Sequence, residues 1–154
     1  MTKQLLVNLL NAIKFSIKKY LLFLIDVSIF IEMKFMENNE MDDLFKIFKA
    51  LGDKNRLRII KMSQQRSCCV CEITAVLEIA TSTVSSHLSV LKDIGIIVDV
   101  KDGKWVDYYF NTKTSNAFLN GLMLLLTFCL NNDEQVKADL EKLHTTNRDE
   151  LCKT

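Results

Sequence analysis

The sequence predicts a mainly α-helical fold carrying one small β-hairpin. Three observations support this. Proline is absent and only four of the 154 residues are glycine, so breaks between elements are few. Apolar residues recur at three- and four-residue intervals along most of the chain. Between Ile96 and Phe110 the pattern changes to two β-rich runs about Asp102-Gly103, a pair suited to a tight hairpin turn.

The length suits one domain with an ordinary core. Hydrophobic residues make up 49% and charged residues 25%, both within the globular range, so a wholly disordered chain is excluded. A net charge of +1 offers no global attraction for nucleic acid, so a nucleic-acid reader must place its cations locally. Five cysteines is an odd number, and Cys68, Cys69 and Cys71 crowd into four positions. That arrangement does not suit a secreted disulfide framework and points to free or metal-bound thiols in a reducing cytoplasm.

Residues 1–36 form an apolar helical extension. Leu6, Leu10, Ile13, Ile17, Tyr20, Leu24, Val27 and Ile31 alternate four and three apart. The opposite face is also apolar, at Leu5, Leu9, Phe15, Leu22 and Phe23. A membrane span needs about 20 mostly apolar residues. The best run, from Tyr20 to Ile31, is shorter and contains Asp26. Three readings stand: a dispensable extension ahead of a start at Met33, Met36 or Met41, a helix packing on the domain or a partner, and membrane association.

Residues 37–132 read as the main domain. Leu44, Phe45, Ile47, Phe48 and Leu51 follow helical spacing, and Gly52 stops that helix. Asp53 can cap the next helix, which sends Leu57, Ile59, Ile60 and Met62 to the core. Arg56, Arg58 and Lys61 on it read as a solvated face, in preference to phosphate contact. Ser67 is the expected N-cap of a helix bearing the thiols with Ile73, Val76, Leu77 and Ile79. A polar break at 80–83 serves as turn and capped start of a further helix, which buries Val84, Leu88 and Leu91 and ends at Gly95. Its outer surface is built of hydroxyls, which hydrogen-bond base edges and phosphates without a charge preference.

Two short helices, a hydroxyl-faced helix and a lysine-tipped hairpin make a winged helix-turn-helix. In that reading Thr81, Ser82, Thr83, Ser85, Ser86, His87 and Lys92 face the major groove, and Lys101 and Lys104 on the wing touch backbone or minor groove. The following helix, from Phe118 to Leu130, is apolar on most sides. Its spare face is most simply buried in a homodimer, whose two-fold symmetry suits a palindromic operator. Residues 133–154 supply a last amphipathic helix and a polar tail with Cys152.

Four segments in register, FKALGDKNRLRII (48–60), CVCEI (69–73), STVSSHLSVLKDIGII (82–97) and DGKWVDYYF (102–110), resemble the ArsR/SmtB family of metal-sensing winged-helix repressors. The resemblance implies a homodimer that binds an operator and releases it when an effector binds, with no enzymatic activity. It aligns Cys69 and Cys71 with the thiolate site of the arsenite, cadmium and lead sensors. It implies no permanent cofactor, and As(III), Sb(III) or another thiophilic ion as effector. The third thiol of the arsenite sensors falls on Thr74, so the third ligand is Cys68, Cys129 or Cys152, with Cys68 nearest. Residues 111–130 hold no His, Asp or Glu, which disfavours a zinc site of the kind the family builds on its C-terminal helix.

Helix geometry adds a tension. Cys68 and Cys71, three apart, share a face, whereas Cys69 and Cys71 point about 200° apart on a regular helix. Both can serve if the helix starts late or loosens on ion binding, and loosening would shift the adjacent reading helix. The same thiols support other chemistries: oxidation or persulfide formation as the signal, or a Cys68-x-x-Cys71 thiol oxidoreductase. The oxidoreductase reading lacks the βαβ surroundings such motifs use.

Overall fold

The computed structural model describes residues 40–151. The extension at 1–36 and Cys152 lie outside the described residues. The chain divides into two compact units, Met1–Leu44 and Phe45–Thr154, and the architecture below belongs to the second.

Helix α1 (Glu40–Leu51) spans the boundary and ends where the Gly52 N–H donates to the Phe48 carbonyl. It buries Ile47 and Ala50, while Phe45 and Phe48 remain largely exposed. Helix α2 (Lys54–Gln65) is capped as its sequence predicts: the Asp53 carboxylate accepts from the Arg56 N–H at 3.0 Å. It delivers Ile59, Ile60 and Met62 to the core, each at most 1% exposed.

The next element departs from expectation. Ser67 does not cap a helix. Cys68–Cys69 forms a short strand, β1, and helix α3 (Val70–Leu77) begins only afterwards with Cys69 as its N-cap. The cause lies far along the chain. Cys68 pairs with Tyr108 and Cys69 with Asp107, so the expected two-stranded hairpin is a three-stranded antiparallel sheet. Backbone groups that would have opened a helix are committed to that ladder instead.

The turn after α3 needs no glycine, because Glu78 takes the left-handed conformation at φ 58°. Helix α4 (Thr81–Asp93) then starts from Ala80, whose carbonyl accepts from Thr83 and Val84, rather than from a hydroxyl cap. Val84, Leu88 and Leu91 are buried as their spacing predicts. Gly95, at φ 79°, turns the chain into strand β2 (Ile97–Asp102). Strand β3 (Trp105–Phe110) returns with Asp102 opposite Trp105, leaving Gly103 and Lys104 as the turn. The sheet order is β1-β3-β2.

Helix α5 (Ala117–Phe128) is capped by Asn116. It buries Leu119, Met123 and Leu126, and leaves Phe118, Leu124, Leu125 and Phe128 substantially exposed. Cys129 lies at its C-cap, half-buried, and not inside the helix. Helix α6 (Glu134–Thr145) packs on α2 and α3, and a single turn, α7 (Arg148–Leu151), follows. One core unites α2 to α6: Ile60, Ile73, Leu88, Ile97, Met123 and Leu143 all belong to it. Burial of each such side chain is worth about 1.5–3 kcal/mol.

The cations of α2 are not a solvated face. Arg58 grips the buried Asp139 of α6 through two bonds of 2.6 and 2.7 Å. Lys61, 4% exposed, donates to Asn131 Oδ1 at 2.7 Å and to the Leu126 carbonyl at 3.2 Å, closing the end of α5. Burial draws its amine below the ordinary lysine range. Arg56 bonds the carbonyls of Ala50 and Lys49.

Candidate thiol site and nucleic-acid interface

Successive residues of a strand face opposite sides, so β1 separates its two sulfurs. Cys68 points into the core, 1% exposed. Burial pushes its thiol up to about 12. Cys69 belongs to helix α3 as much as to the sheet. Its N–H donates to Glu72 Oε2 at 2.8 Å, while the Glu72 N–H points back at the Cys69 sulfur, a reciprocal cap in which a thiol replaces the usual hydroxyl. Cys71, in the first turn of α3, is half-buried. The late helix start places Cys69, 3% exposed, ahead of the regular helix. Thr74, one turn on, has a buried hydroxyl oxygen with no hydrogen-bond partner. Among the described residues, no three His, Cys, Asp or Glu side chains stand together as a ready metal site.

Two arginine–carboxylate pairs flank the cap. Glu72, 3% exposed, meets Arg66 Nη1 at 2.9 Å. Arg66 also donates to the Ser67 and Leu143 carbonyls, tying the thiol strand to the end of α6. Asp107, the cross-strand partner of Cys69, is 6% exposed, and both its oxygens accept from Arg148 at 2.9 and 2.7 Å. A carboxylate removed from water needs such a partner. Sequence reading missed all four residues. Glu72 was findable, since it lies three residues after Cys69 in capping-box spacing. Arg66, Asp107 and Arg148 carry no local signal.

On α4, Thr81, Ser82, Thr83, Ser85 and Ser86 are exposed together, forming the expected hydroxyl face. Ser86 returns its hydroxyl to the Ser82 carbonyl. His87 does not join that face. Its Nδ1 lies 3.5 Å from Arg56 Nη1 and its Nε2 is buried without a partner. Lys92 turns toward the wing and pairs with Asp99 at 2.7 Å, which holds that carboxyl below its ordinary range. Lys101 and Lys104 are exposed at the wing tip, with Lys104 Nζ 4.5 Å from the centre of the Trp105 ring. The arrangement presents a neutral, hydroxyl-bearing helix beside a two-lysine wing.

Comparison with known proteins gives a consistent result. The family described as "Bacterial regulatory protein, arsR family" matches residues 53–98. An uncharacterized HTH-type transcriptional regulator of Methanocaldococcus jannaschii is 45% identical over 65 residues, spanning 42% of this chain and 73% of that protein. The cadmium resistance transcriptional regulatory protein CadC of Listeria innocua is 37% identical over 89 residues, 56% of this chain and 75% of that protein. The arsenical resistance operon repressor of Bacillus subtilis is 36% identical over 74 residues, 47% and 70% of the two chains. A solution structure from Mycobacterium bovis, the homodimeric winged helix-turn-helix DNA-binding domain of a possible ArsR-family transcriptional regulator, superposes with a TM-score of 0.50. Its identity is 22%, over 59% of this chain and 81% of that one, and it speaks to the fold alone.

Proposed function

From the premise that this chain belongs to the ArsR family of DNA-binding transcriptional regulators, we propose that it is a repressor whose operator affinity falls when a thiophilic ion binds Cys69 and Cys71. The ion favoured is As(III) or Sb(III), as chemistry suited to soft thiolates. The observation that carries the reading is the thiol cap: Cys69 closes the first turn of α3, and α3 packs directly on α4. A sulfur drawn to an ion no longer accepts the Glu72 N–H. The first turn of α3 opens, and the hydroxyl face of α4 shifts against its groove. The ion need only prefer the opened form, with a coupling of about 1–3 kcal/mol.

The third ligand in this reading is Cys68, brought out when β1 leaves the sheet. Cys129 and Cys152 are the alternatives. Thr81, Ser82, Thr83, Ser85 and Ser86 meet base edges and phosphates, while Lys101 and Lys104 meet the backbone. His87, half-buried against Arg56, and Lys92, paired with Asp99 at the surface, orient α4. The exposed apolar face of α5, with Phe48 edge-on to Phe118 at 6.0 Å between ring centres, is the homodimer surface. The protein works in the reducing cytoplasm, where its thiols stay free.

Cadmium or lead is the second reading, supported by the similarity to a cadmium resistance regulator and by the affinity of these ions for thiolate sulfur. One titration separates the candidates: reduced protein on its own promoter DNA, with As(III), Cd(II), Pb(II), Zn(II) and peroxide. Release by As(III), lost in Cys69→Ser and Cys71→Ser, supports the proposal. Release by As(III) that survives both substitutions refutes the site, and release by peroxide alone establishes the redox reading.

A further inference from the structure

Asp107 sits where three parts of the molecule meet. It is the rung opposite Cys69 in the β1–β3 ladder. It is buried within the wing's return strand. Its charge is met by Arg148, which stands on α7 at the far end of the chain. Arg148 makes further wing contacts: its Nη2 lies 3.6 Å from Asp102, and its guanidinium carbon is 5.5 Å from the centre of the Trp105 ring. Asp102 and Trp105 are the pair that closes the wing turn. Helix α7 also packs against α3, the thiol-bearing helix. One side chain therefore touches the base and the tip of the wing from an element resting on the thiol helix.

We propose that Arg148 is a positioning residue that transmits the state of the Cys69 thiol to the wing, holding the wing in its DNA-binding attitude while Cys69 keeps its rung opposite Asp107. This rests on the proposed function of the thiol site and names how that site reaches the second DNA-contacting element. The first route runs from Cys69 through α3 to α4. The second runs from Cys69 through the β1–β3 rung to Asp107, Arg148 and the wing tip. When Cys69 is drawn to an ion the rung is lost, Asp107 shifts, and the contact of Arg148 Nη1 with both its oxygens, which orients the wing, is spoiled. Surface ion pairs contribute little, but here the carboxylate is buried and both its oxygens are engaged, which gives the contact a defined geometry to lose.

The test uses the full chain as wild type, Arg148→Met, Arg148→Lys and Asp107→Asn. Operator affinity is measured by fluorescence anisotropy with and without arsenite. Sulfur ligation is followed separately by the near-ultraviolet thiolate-to-arsenic absorbance. Arg148→Met is expected to bind arsenite with wild-type stoichiometry, yet the ratio of ion-free to ion-bound operator affinity should shrink about fivefold or more, at the scale of a typical allosteric coupling. Arg148→Lys should restore part of that ratio and Asp107→Asn should mimic the loss. A wild-type ratio in a folded Arg148→Met protein overturns the proposal. If arsenite fails to release wild-type protein at all, the effector assignment is what fails. The wing link is then decided by amide hydrogen exchange across β3 and by ion-free operator affinity. Faster exchange and weaker binding in Arg148→Met sustain it, and wild-type values of both overturn it.

Discussion

Glu72 and Cys69 cap one another across the first turn of α3, the carboxylate taking the Cys69 N–H at 2.8 Å and the sulfur facing the Glu72 N–H. The same carboxylate neutralises Arg66. Removing it orphans a helix N–H and an arginine together. Glu72→Ala is expected to cost about 1–3 kcal/mol, with Glu72→Gln intermediate because it keeps the acceptor and loses the charge. Urea denaturation measures this. Equal midpoints for all three proteins would remove the cap from any structural role.

The three neighbouring thiols should behave as three different chemical species. Cys71, the most accessible, should alkylate first under native conditions. Cys68 should react only when the core opens, because it is buried and its thiol is pushed from 9.0 to about 12. The shift also fixes a pH dependence. The folded value is raised, so the stabilising contribution is complete below the unfolded value near 9 and is lost as pH rises toward 12. Stability should fall in that window by up to about 1.4 kcal/mol per pH unit for this one group. Cys68→Ala should flatten that part of the curve, as measured by denaturation at successive pH values with peptide mapping for alkylation order.

Arg58 and Asp139 join α2 to α6. Asp139 is 1% exposed, and its hydrogen bond is the main reason the Arg58 guanidinium is held above its ordinary range. Asp139→Ala strands a partly buried cation and should cost about 3 kcal/mol. A thermal melt unchanged from wild type would contradict this.

How much of this was legible in the chain divides along a physical line. Asp53, Gly95 and the apolar spacing of α2 and α4 predicted those elements, since caps, turns and buried faces are local properties. Cys68–Cys69 read as the start of a helix because the strand it joins is defined only by pairing with Tyr108 and Asp107. Arg56, Arg58 and Lys61 read as surface charge because their acceptors are carbonyls and a distant aspartate. The doublet Cys69 and Cys71 was recognisable as a candidate site, whereas its neighbours Arg66, Asp107 and Arg148 depend on tertiary contacts that leave no periodicity.

Lys92 is held by Asp99, leaving Lys101 and Lys104 as the exposed lysines of the wing. Operator binding should show a shallow salt dependence, and Lys101→Ala or Lys104→Ala should each lower the slope of log K against log salt by about 1. Anisotropy titrations across a range of salt concentration test it. An unchanged slope in both variants would move the phosphate contacts elsewhere.

The uncharged outer face of α4 sets a tempo for target search. In the proposed role, the exposed hydroxyls of Thr81, Ser82, Thr83, Ser85 and Ser86 would discriminate only where a matching base edge stands within reach. On random sequence such a helix would give little grip, so in that role each visit would be brief and the search would proceed by repeated dissociation instead of long one-dimensional sliding. Occupancy then concentrates at the operator through its residence time there, and a small loosening of α4 is enough to return the protein to the searching population.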